Sequence, residues 1–254
     1  MAGYFGELGL LQRQVALHVL VVRHRRLPWS TRLGTLITEQ MLCYLSDVPR
    51  PRIHDRDTVL DAAERLAVET GPAGVTTRAV AATAGTSNGA IYHSFRSRSD
   101  LLAQTWLRAA RAFLDVQNQL VESALADDRT DPVSAVVAAA DAPAVFFGLH
   151  PQSSRLLLRV DRGQLLGDDL PDDVVADLAE LDRALIGLMI RLSTHLWNRK
   201  DAKAVDAITL CIVDLPTAIL LSRNRIQDPW ARRQLTSAVR AVLADGPPPP
   251  TTEE

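Results

Sequence analysis

Apolar residues recur along most of this chain at the spacing of an α-helix. Residues 57–70 show the period clearly, with apolar side chains at Val59, Ala62, Ala63, Leu66 and Ala67. This i, i+3, i+4, i+7 pattern predicts an amphipathic helix with Glu64, Arg65 and Glu69 on its outer side. Because strand-like alternation of apolar and polar residues is nearly absent elsewhere, the pattern predicts an all-α fold.

Two short helices separated by a glycine turn are predicted next. Thr76 has a hydroxyl that can cap a helix over residues 77–84. Gly85 can end that helix because glycine adopts the left-handed conformation without steric cost. Ser87 can then cap a second helix over residues 88–95. The natural description of this arrangement is a helix-turn-helix.

The second short helix has two unlike faces. Ile91 and Phe95 lie four residues apart and share the face predicted to be buried. The opposite face carries residues that are small or form hydrogen bonds, namely Asn88, Gly89, Ala90, Tyr92 and His93. Such a face can approach base edges and phosphates in a major groove. The alternative is an ordinary helical hairpin, with Tyr92 and His93 as surface residues.

Longer helices are predicted in the rest of the chain. A helix capped by Ser97 or Ser99 is expected to run to Leu125. Further helices are expected over residues 133–149 with a bend at Pro143, 151 to about 163, 174–198, 202–226 with an interruption at Pro216, and 229–244. The predicted segments are an N-terminal extension (1–52), a helix-turn-helix domain (53–102), a helical domain (103–245) and a disordered tail (246–254).

The extension of residues 1–52 has two interpretations. It contains two apolar stretches of helical character and ends in a proline-marked boundary. It is either an extra arm whose Arg23, Arg25 and Arg26 add basic contacts, or a start assigned too far upstream. In the second interpretation the native protein begins near Met41 or just before the prolines.

Charge and composition narrow the class of function. Of the 254 residues, 47% are hydrophobic, enough for a sizeable core. Residues 50–113 carry nine Arg against six acidic residues, whereas residues 114–254 carry fourteen basic and twenty-one acidic residues. This asymmetry suits a chain of which only one end meets a polyanion such as double-stranded DNA.

Cysteine usage and hydropathy indicate a cytoplasmic protein without a membrane segment. Cys43 and Cys211 show neither metal-ligand spacing nor the density of a disulfide scaffold, so a reducing compartment is expected. No segment reaches the roughly 20 apolar residues that span a bilayer, and the closest, residues 8–22, contains Gln12, Arg13, Gln14 and His18.

Signatures of catalysis are absent from the sequence. It has no nucleophile elbow, no HExxH motif, no glycine-rich phosphate loop and no paired carboxylates at readable spacing. We therefore expect no enzyme, no cofactor and no metal. The alternatives to a specific regulator are a helix-turn-helix protein that binds DNA without sequence specificity and, less favoured, an all-helical enzyme.

Residues 58–102 resemble the DNA-binding domain of the TetR family of transcriptional regulators. The resemblance lies in VLDAAERLAVETG, TTRAVAATAGTSNGAIYHSF and RSRSDLL. These match the family's opening helix of the ILDAA type, its T-x-R-x-[IV]-A and AG-[VT]-S-x-G-x-[IL]-Y-x-x-F patterns, and the basic residue before its fourth helix. The resemblance implies a three-helix DNA-binding domain followed by a helical domain that binds a small effector and dimerises.

The resemblance also implies which residues contact DNA. They are Thr77, Arg78, Ser87, Asn88, Gly89, Ala90, Tyr92, His93 and Arg98. Arg98 stands where the family usually has a phosphate-binding lysine. Two positions depart from the family pattern: Ser94 replaces a frequent His, which weakens one phosphate contact, and Thr86 replaces a common Val in the turn. The operator implied is palindromic, since two copies of a helix-turn-helix read two half-sites.

A regulator of this kind is expected to be a repressor released by a small, largely apolar effector. Candidate pocket residues are the larger side chains of the second domain, Trp106, Phe113, Phe146, Phe147, His150, Met189 and His195. The homodimer is expected to form through apolar residues of the last two helices, Ile212, Leu215, Ala218, Ile219, Leu235, Val239 and Val242. For both sets, packing inside a single chain is the alternative.

Overall fold

The computed structural model describes residues 52–126, 131–160 and 170–249, and within these ranges the chain is helical, as predicted. The helices are α1 (Arg52–Thr70), α2 (Thr77–Ala84), α3 (Asn88–Ser94), α4 (Arg98–Leu125), α5 (Ser134–Leu149), α6 (Pro151–Arg159), α7 (Asp172–Trp197), α8 (Ala202–Thr209) and α9 (Pro229–Asp245). A 3₁₀ turn, Pro72–Gly74, joins α1 to α2. The predictions made for residues 1–51, 161–169 and 250–254 lie outside the described residues.

The predicted caps of the helix-turn-helix are confirmed. The Thr76 hydroxyl accepts a hydrogen bond from the Ala79 amide at 3.2 Å, and the Ser87 hydroxyl accepts one from the Ala90 amide at 3.1 Å. Gly85 has φ of +67°, the left-handed conformation that favours glycine. These short-range contacts end α2 at Ala84 and begin α3 at Asn88, so three residues separate the two helices.

Ser97 rather than Ser99 caps α4. The Ser97 hydroxyl accepts from the Asp100 amide at 3.0 Å, and α4 therefore begins at Arg98. The Asp100 carboxylate, which is 2% exposed, accepts from the Arg96 amide at 2.8 Å. An acidic side chain in the first turn satisfies free amides and complements the helix dipole, as the sequence predicted.

The predicted interruption at Pro216 is wrong. The helix that starts with α8 continues in wider π-type turns over Leu210–Asp214 and Thr217–Leu221, and Pro216 itself has helical φ and ψ of −58° and −42°. Proline normally breaks a helix because it lacks an N–H and its ring crowds the carbonyl four residues earlier. Turns bonded over five residues flank Pro216 and widen the helix around it, and the helix passes through this position.

This extended helix, Ala202–Leu221, has a mean hydropathy of 1.9 over an 18-residue window and is long and apolar enough to cross a membrane. No such segment was predicted from the sequence. Its Ile208, Cys211 and Leu220 side chains are buried in the protein core, which accounts for the apolar composition. Burial also raises the pKa of the Cys211 thiol to about 12, so this thiol stays protonated at neutral pH.

Two hydrophobic cores share the long helices α4 and α7. The first core joins α1, α2, α3 and the first half of α4 to Leu156 and Val160 near α6 and to Val174 and Leu178 of α7. The second core joins the rest of α4 and α7 to α5, α8 and α9. The helices α1, α2 and α3 therefore pack directly against later elements of the chain.

Glu64 is buried between α1, α4 and α6, which corrects the prediction that it lies on the outer side of α1. The residue is 7% exposed. Its carboxylate accepts hydrogen bonds from Arg108 Nη2 at 2.9 Å and from Ser153 Oγ at 2.7 Å, and Arg108 also pairs with Asp61 at 2.7 Å. The apolar period of α1 could not reveal a second packing partner on the polar side of the helix.

We expect Glu64→Ala to lower the free energy of unfolding by about 2 kcal/mol, because Ser153 and the half-buried Arg108 lose the carboxylate that satisfies them. The change is measured by urea denaturation. Glu69→Ala, at an exposed position of the same helix, is the control and should change stability by less than about 0.5 kcal/mol. Equal effects of the two substitutions would show that the buried carboxylate is not needed.

Candidate nucleic-acid interface and buried cavity

Helix α3 is anchored by one face and open on the other. Ile91 and Phe95 are each 1% exposed and belong to the first core. Outside this anchored face Asn88, Gly89 and His93 are exposed, Tyr92 is 60% exposed and Ala90 is half-buried. The predicted contact residues of α3 therefore all lie on its accessible surface.

Gly89 leaves open space on this surface. A Cβ added at Gly89 would come no closer than 3.8 Å to another heavy atom, the Ser87 hydroxyl oxygen. Packing within the described chain therefore does not require a glycine here. The missing side chain instead allows the backbone of α3 to come close to a surface outside the protein.

The start of α2 lies beside Tyr92. The Thr77 and Tyr92 hydroxyl oxygens are 3.3 Å apart, which links α2 to α3 at their exposed edge. Arg78 follows on the same edge, is exposed and forms no ion pair with the described residues. An exposed cation that has no ion pair among the described residues, one position after Thr77, is suited to a phosphate. Ser87, also predicted to contact DNA, is exposed and uses its oxygen to cap α3.

Arg98 has a structural role that the sequence did not indicate. Its Nε donates to the Val75 carbonyl at 2.6 Å, and its Nη2 donates to the Pro72 carbonyl. The guanidinium thereby ties the turn between α1 and α2 to the start of α4. The family resemblance implies that Arg98 contacts a phosphate. Only the guanidinium N–H groups that are not bonded to these two carbonyls remain for that contact.

Arg96 connects α3 to the second domain. This exposed side chain forms an ion pair of 2.9 Å with Asp173 in the first turn of α7. The partner lies 77 residues away in sequence, so no local pattern could have predicted the contact. The pair joins the chain just after α3 to α7, a helix that also lines the cavity described next.

A cavity of about 220 Å³ lies among α4, α5, α6, α7 and the π-helical extension of α8. Three of the predicted pocket residues line it: Trp106, Phe113 and Phe146. The Phe113 and Phe146 rings pack edge to face, with centroids 5.5 Å apart. Most of the wall is apolar, and its polar side chains are Gln117, Ser154, Asp182 and Thr217. None of these four was predicted from the sequence.

The other four predicted pocket residues lie outside the cavity wall. Met189 is 1% exposed in the second core, where the Thr209 hydroxyl is 3.4 Å from its sulfur. His195 and His150 are exposed, and the His150 ring lies 5.2 Å from the Phe146 ring, centroid to centroid, with the two planes tilted by 38°. Phe147 is half-buried beside the Arg155 guanidinium. Helical spacing predicts a shared face of one helix but not which neighbouring helices that face meets.

The residues predicted for a dimer interface separate into two groups. Ile212, Leu235 and Val239 are buried in the second core of the same chain, so the alternative of monomer packing applies to them. Ile212 also lines the cavity. The other four residues are at least partly accessible to solvent. Ala218 is exposed, and Leu215, Ile219 and Val242 are half-buried.

Comparisons with known proteins agree with this geometry. Residues 59–105 match the family model described as bacterial regulatory proteins, tetR family. A search of curated proteins finds no match.

Several solved structures share the fold. A protein described as a transcriptional regulator from Pseudomonas aeruginosa PAO1 aligns with a TM-score of 0.60 and 16% identity, over 78% of this chain and 92% of that one. A TetR-like transcriptional regulator from Rhodococcus sp. RHA1 aligns with a TM-score of 0.56 and 20% identity, over 76% and 98%. The transcriptional regulator FadR from Bacillus subtilis, in complex with stearoyl-CoA, aligns with a TM-score of 0.54 and 12% identity, over 74% and 97%.

The family match covers the helix-turn-helix and the start of α4, and the structural similarity covers most of the remaining helices. At these sequence identities the solved structures establish the fold, whereas the family model matches the helix-turn-helix and the start of α4. Together they show that this chain has the fold of TetR-like regulators and that its residues 59–105 match the tetR family model.

Proposed function

We propose that this protein is a sequence-specific repressor that binds a palindromic operator as a homodimer and is released by a small, largely apolar effector held in the cavity. The observation that carries the proposal is the position of α6. This helix lines the cavity with one side and holds the first DNA-binding helix with the other.

The contacts of α6 are specific on both sides. Ser154, Leu157 and Leu158 belong to the cavity wall. On the other side, the Ser153 hydroxyl donates to Glu64 at 2.7 Å and the Arg159 guanidinium donates to the Val68 carbonyl. An occupant that moves α6 must therefore strain contacts to α1, which shares a core with α2 and α3. A ligand shifts the DNA-binding equilibrium only through such a difference between two states.

The DNA-binding half of the proposal rests on α3 and the start of α2. Asn88 can form bidentate hydrogen bonds with adenine, and Gly89 allows close approach to base edges. Arg78 provides charge that displaces counterions from the phosphates. Since one helix-turn-helix reads only a half-site, a second copy is required for a palindrome, and Ala218 with its half-buried neighbours offers the contact surface.

Two further observations support the effector and the location. FadR, which has the same fold, forms a complex with stearoyl-CoA, so this architecture can hold a molecule with a long apolar part. The free, buried thiol of Cys211 suits the reducing cytoplasm, where an operator would also be found. The fold alone does not fix function, and the experiments below therefore address the site residues.

Gly89→Ala is expected to weaken binding to the operator by about tenfold or more, because the added methyl group holds α3 away from the bases. The protein itself should be equally or more stable, since it has room for a Cβ and alanine favours the helix. Selection from a random DNA pool supplies the operator, and fluorescence anisotropy measures binding.

The control for Gly89→Ala is Gly187→Ala, the same change at an open, exposed position of α7, which should leave affinity unchanged. Unchanged operator affinity of Gly89→Ala would contradict the proposed base-reading surface. A random pool that yields no enriched site would instead favour DNA binding without sequence specificity.

Arg78→Ala should weaken binding uniformly across DNA sequences and reduce the slope of log K against log salt by about one unit. Its melting temperature should not change, because the side chain has no ion pair among the described residues. Arg98→Ala should lower the melting temperature, since the Val75 and Pro72 carbonyls lose their donor. An unchanged salt slope for Arg78→Ala would exclude the phosphate contact.

The homodimer is tested by sedimentation velocity on the full chain. We expect the wild type to sediment as a dimer and Ala218→Arg as a folded monomer, because a charge at this exposed position cannot be buried between two copies. Ala176→Arg, at an exposed position of α7, serves as the control and should remain dimeric. A dimer of unchanged strength in Ala218→Arg would place the interface elsewhere.

A further inference from the structure

A proline in α5 explains why a glutamine lies inside the cavity. Pro143 has no amide hydrogen, so the carbonyl of Ala139, four residues earlier, lacks the regular helical hydrogen bond from position 143. Gln117 of α4 supplies the missing donor: its Nε2 lies 3.0 Å from the Ala139 oxygen. A carbonyl can only accept, so the Gln117 amide group is held with its nitrogen toward Ala139.

The oxygen of this amide group, Gln117 Oε1, is an acceptor that receives no hydrogen bond from the described residues. Gln117 is 1% exposed, and its Oε1 has no hydrogen-bond partner among the described residues. The residue also belongs to the cavity wall. Because its nitrogen is engaged by Ala139, the oxygen is the polar atom that Gln117 offers to an occupant. A buried acceptor without a donor is costly, so an occupant that donates to it gains affinity.

The charge of the wall limits the occupant further. Asp182 is the charged residue in the cavity wall, and the described lining contains no Lys, Arg or His. An anionic group placed there would lose its hydration without gaining a positive partner. Carboxylate and phosphate groups are therefore disfavoured inside the cavity.

The volume sets the size of the occupant. A cavity of about 150 Å³ in another protein holds benzene. The present cavity of about 220 Å³ accommodates on the order of nine non-hydrogen atoms on the same scale, a single ring with short substituents.

We propose that the cavity binds an uncharged, mostly apolar molecule of about one substituted ring that carries an O–H or N–H group and donates it to Gln117 Oε1. The inference rests on the proposed role of the cavity as the effector site and specifies its ligand class. Gln117 is the residue that sets specificity, by discriminating a donor from a methyl group of the same size.

Three probe molecules of nine non-hydrogen atoms each separate these properties: 4-ethylphenol, 4-ethyltoluene and benzoate. The first two differ only in a hydroxyl against a methyl group, and the third carries a carboxylate. Calorimetric titration of the full-length protein at pH 7 should show 4-ethylphenol binding about tenfold more tightly than 4-ethyltoluene. Binding of benzoate should be weaker than that of both.

Gln117→Leu should abolish the preference for the phenol while keeping the binding of 4-ethyltoluene. This substitution also removes the donor to Ala139, so it is paired with the double variant Gln117→Leu, Pro143→Ala. In the double variant the backbone N–H at position 143 can satisfy the Ala139 carbonyl, and the fold is retained. Gln119→Leu, at an exposed position of α4, is the matched control and should keep the preference of the wild type.

The possible failures are distinguishable. Equal binding of the phenol and the toluene to the wild type, or a preference that survives in both Gln117→Leu proteins, overturns the inference and leaves the cavity as an effector site. Absence of binding by all three probes overturns both the ligand class and the role of the cavity. The DNA-binding role of α3 is independent of either result, because it is measured by operator affinity of Gly89→Ala.

Discussion

The buried carboxylate of Glu64 is the interaction on which the relation between the two halves of the molecule depends. A carboxylate in a nearly dry position is tolerated only when charge and hydrogen bonds replace its lost hydration. Arg108 from α4 and Ser153 from α6 provide these partners. Because the Glu64 carboxylate needs these partners, α1, α4 and α6 meet at this point. The apolar side chains of the first core pack around it.

This arrangement gives α6 two roles within nine residues. Leu156 is buried in the core of the DNA-binding helices, and its neighbours Leu157 and Leu158 line the cavity. Helix α6 forms polar contacts with α1 on one side and lines the cavity on the other. Any movement of α6 therefore changes both the contacts with α1 and the cavity wall. The coupling between effector and DNA in the proposed function therefore needs no element other than α6 and the helices it contacts.

Departures from regular helical bonding shape the cavity. Pro143 leaves the Ala139 carbonyl to Gln117 and thereby orients an amide group in the wall. Pro216 lies where the continuation of α8 is bonded over five residues, and both prolines belong to the cavity wall. π-type turns are frequent at functional sites because they widen a helix and displace its side chains. Here they coincide with the apolar cavity that gives the protein its proposed ligand response.

The sequence by itself determined the all-α class, the bounds of α2 and the caps at Thr76, Gly85 and Ser87. These features depend on helical spacing and on hydrogen bonds that span three or four residues, which a local pattern contains. Only the tertiary structure decided that Glu64 is buried, that Arg98 ties a turn to α4, and that Gln117 rather than Met189 or His195 lines the cavity. Such assignments depend on which distant helices meet, and no spacing along the chain encodes that choice.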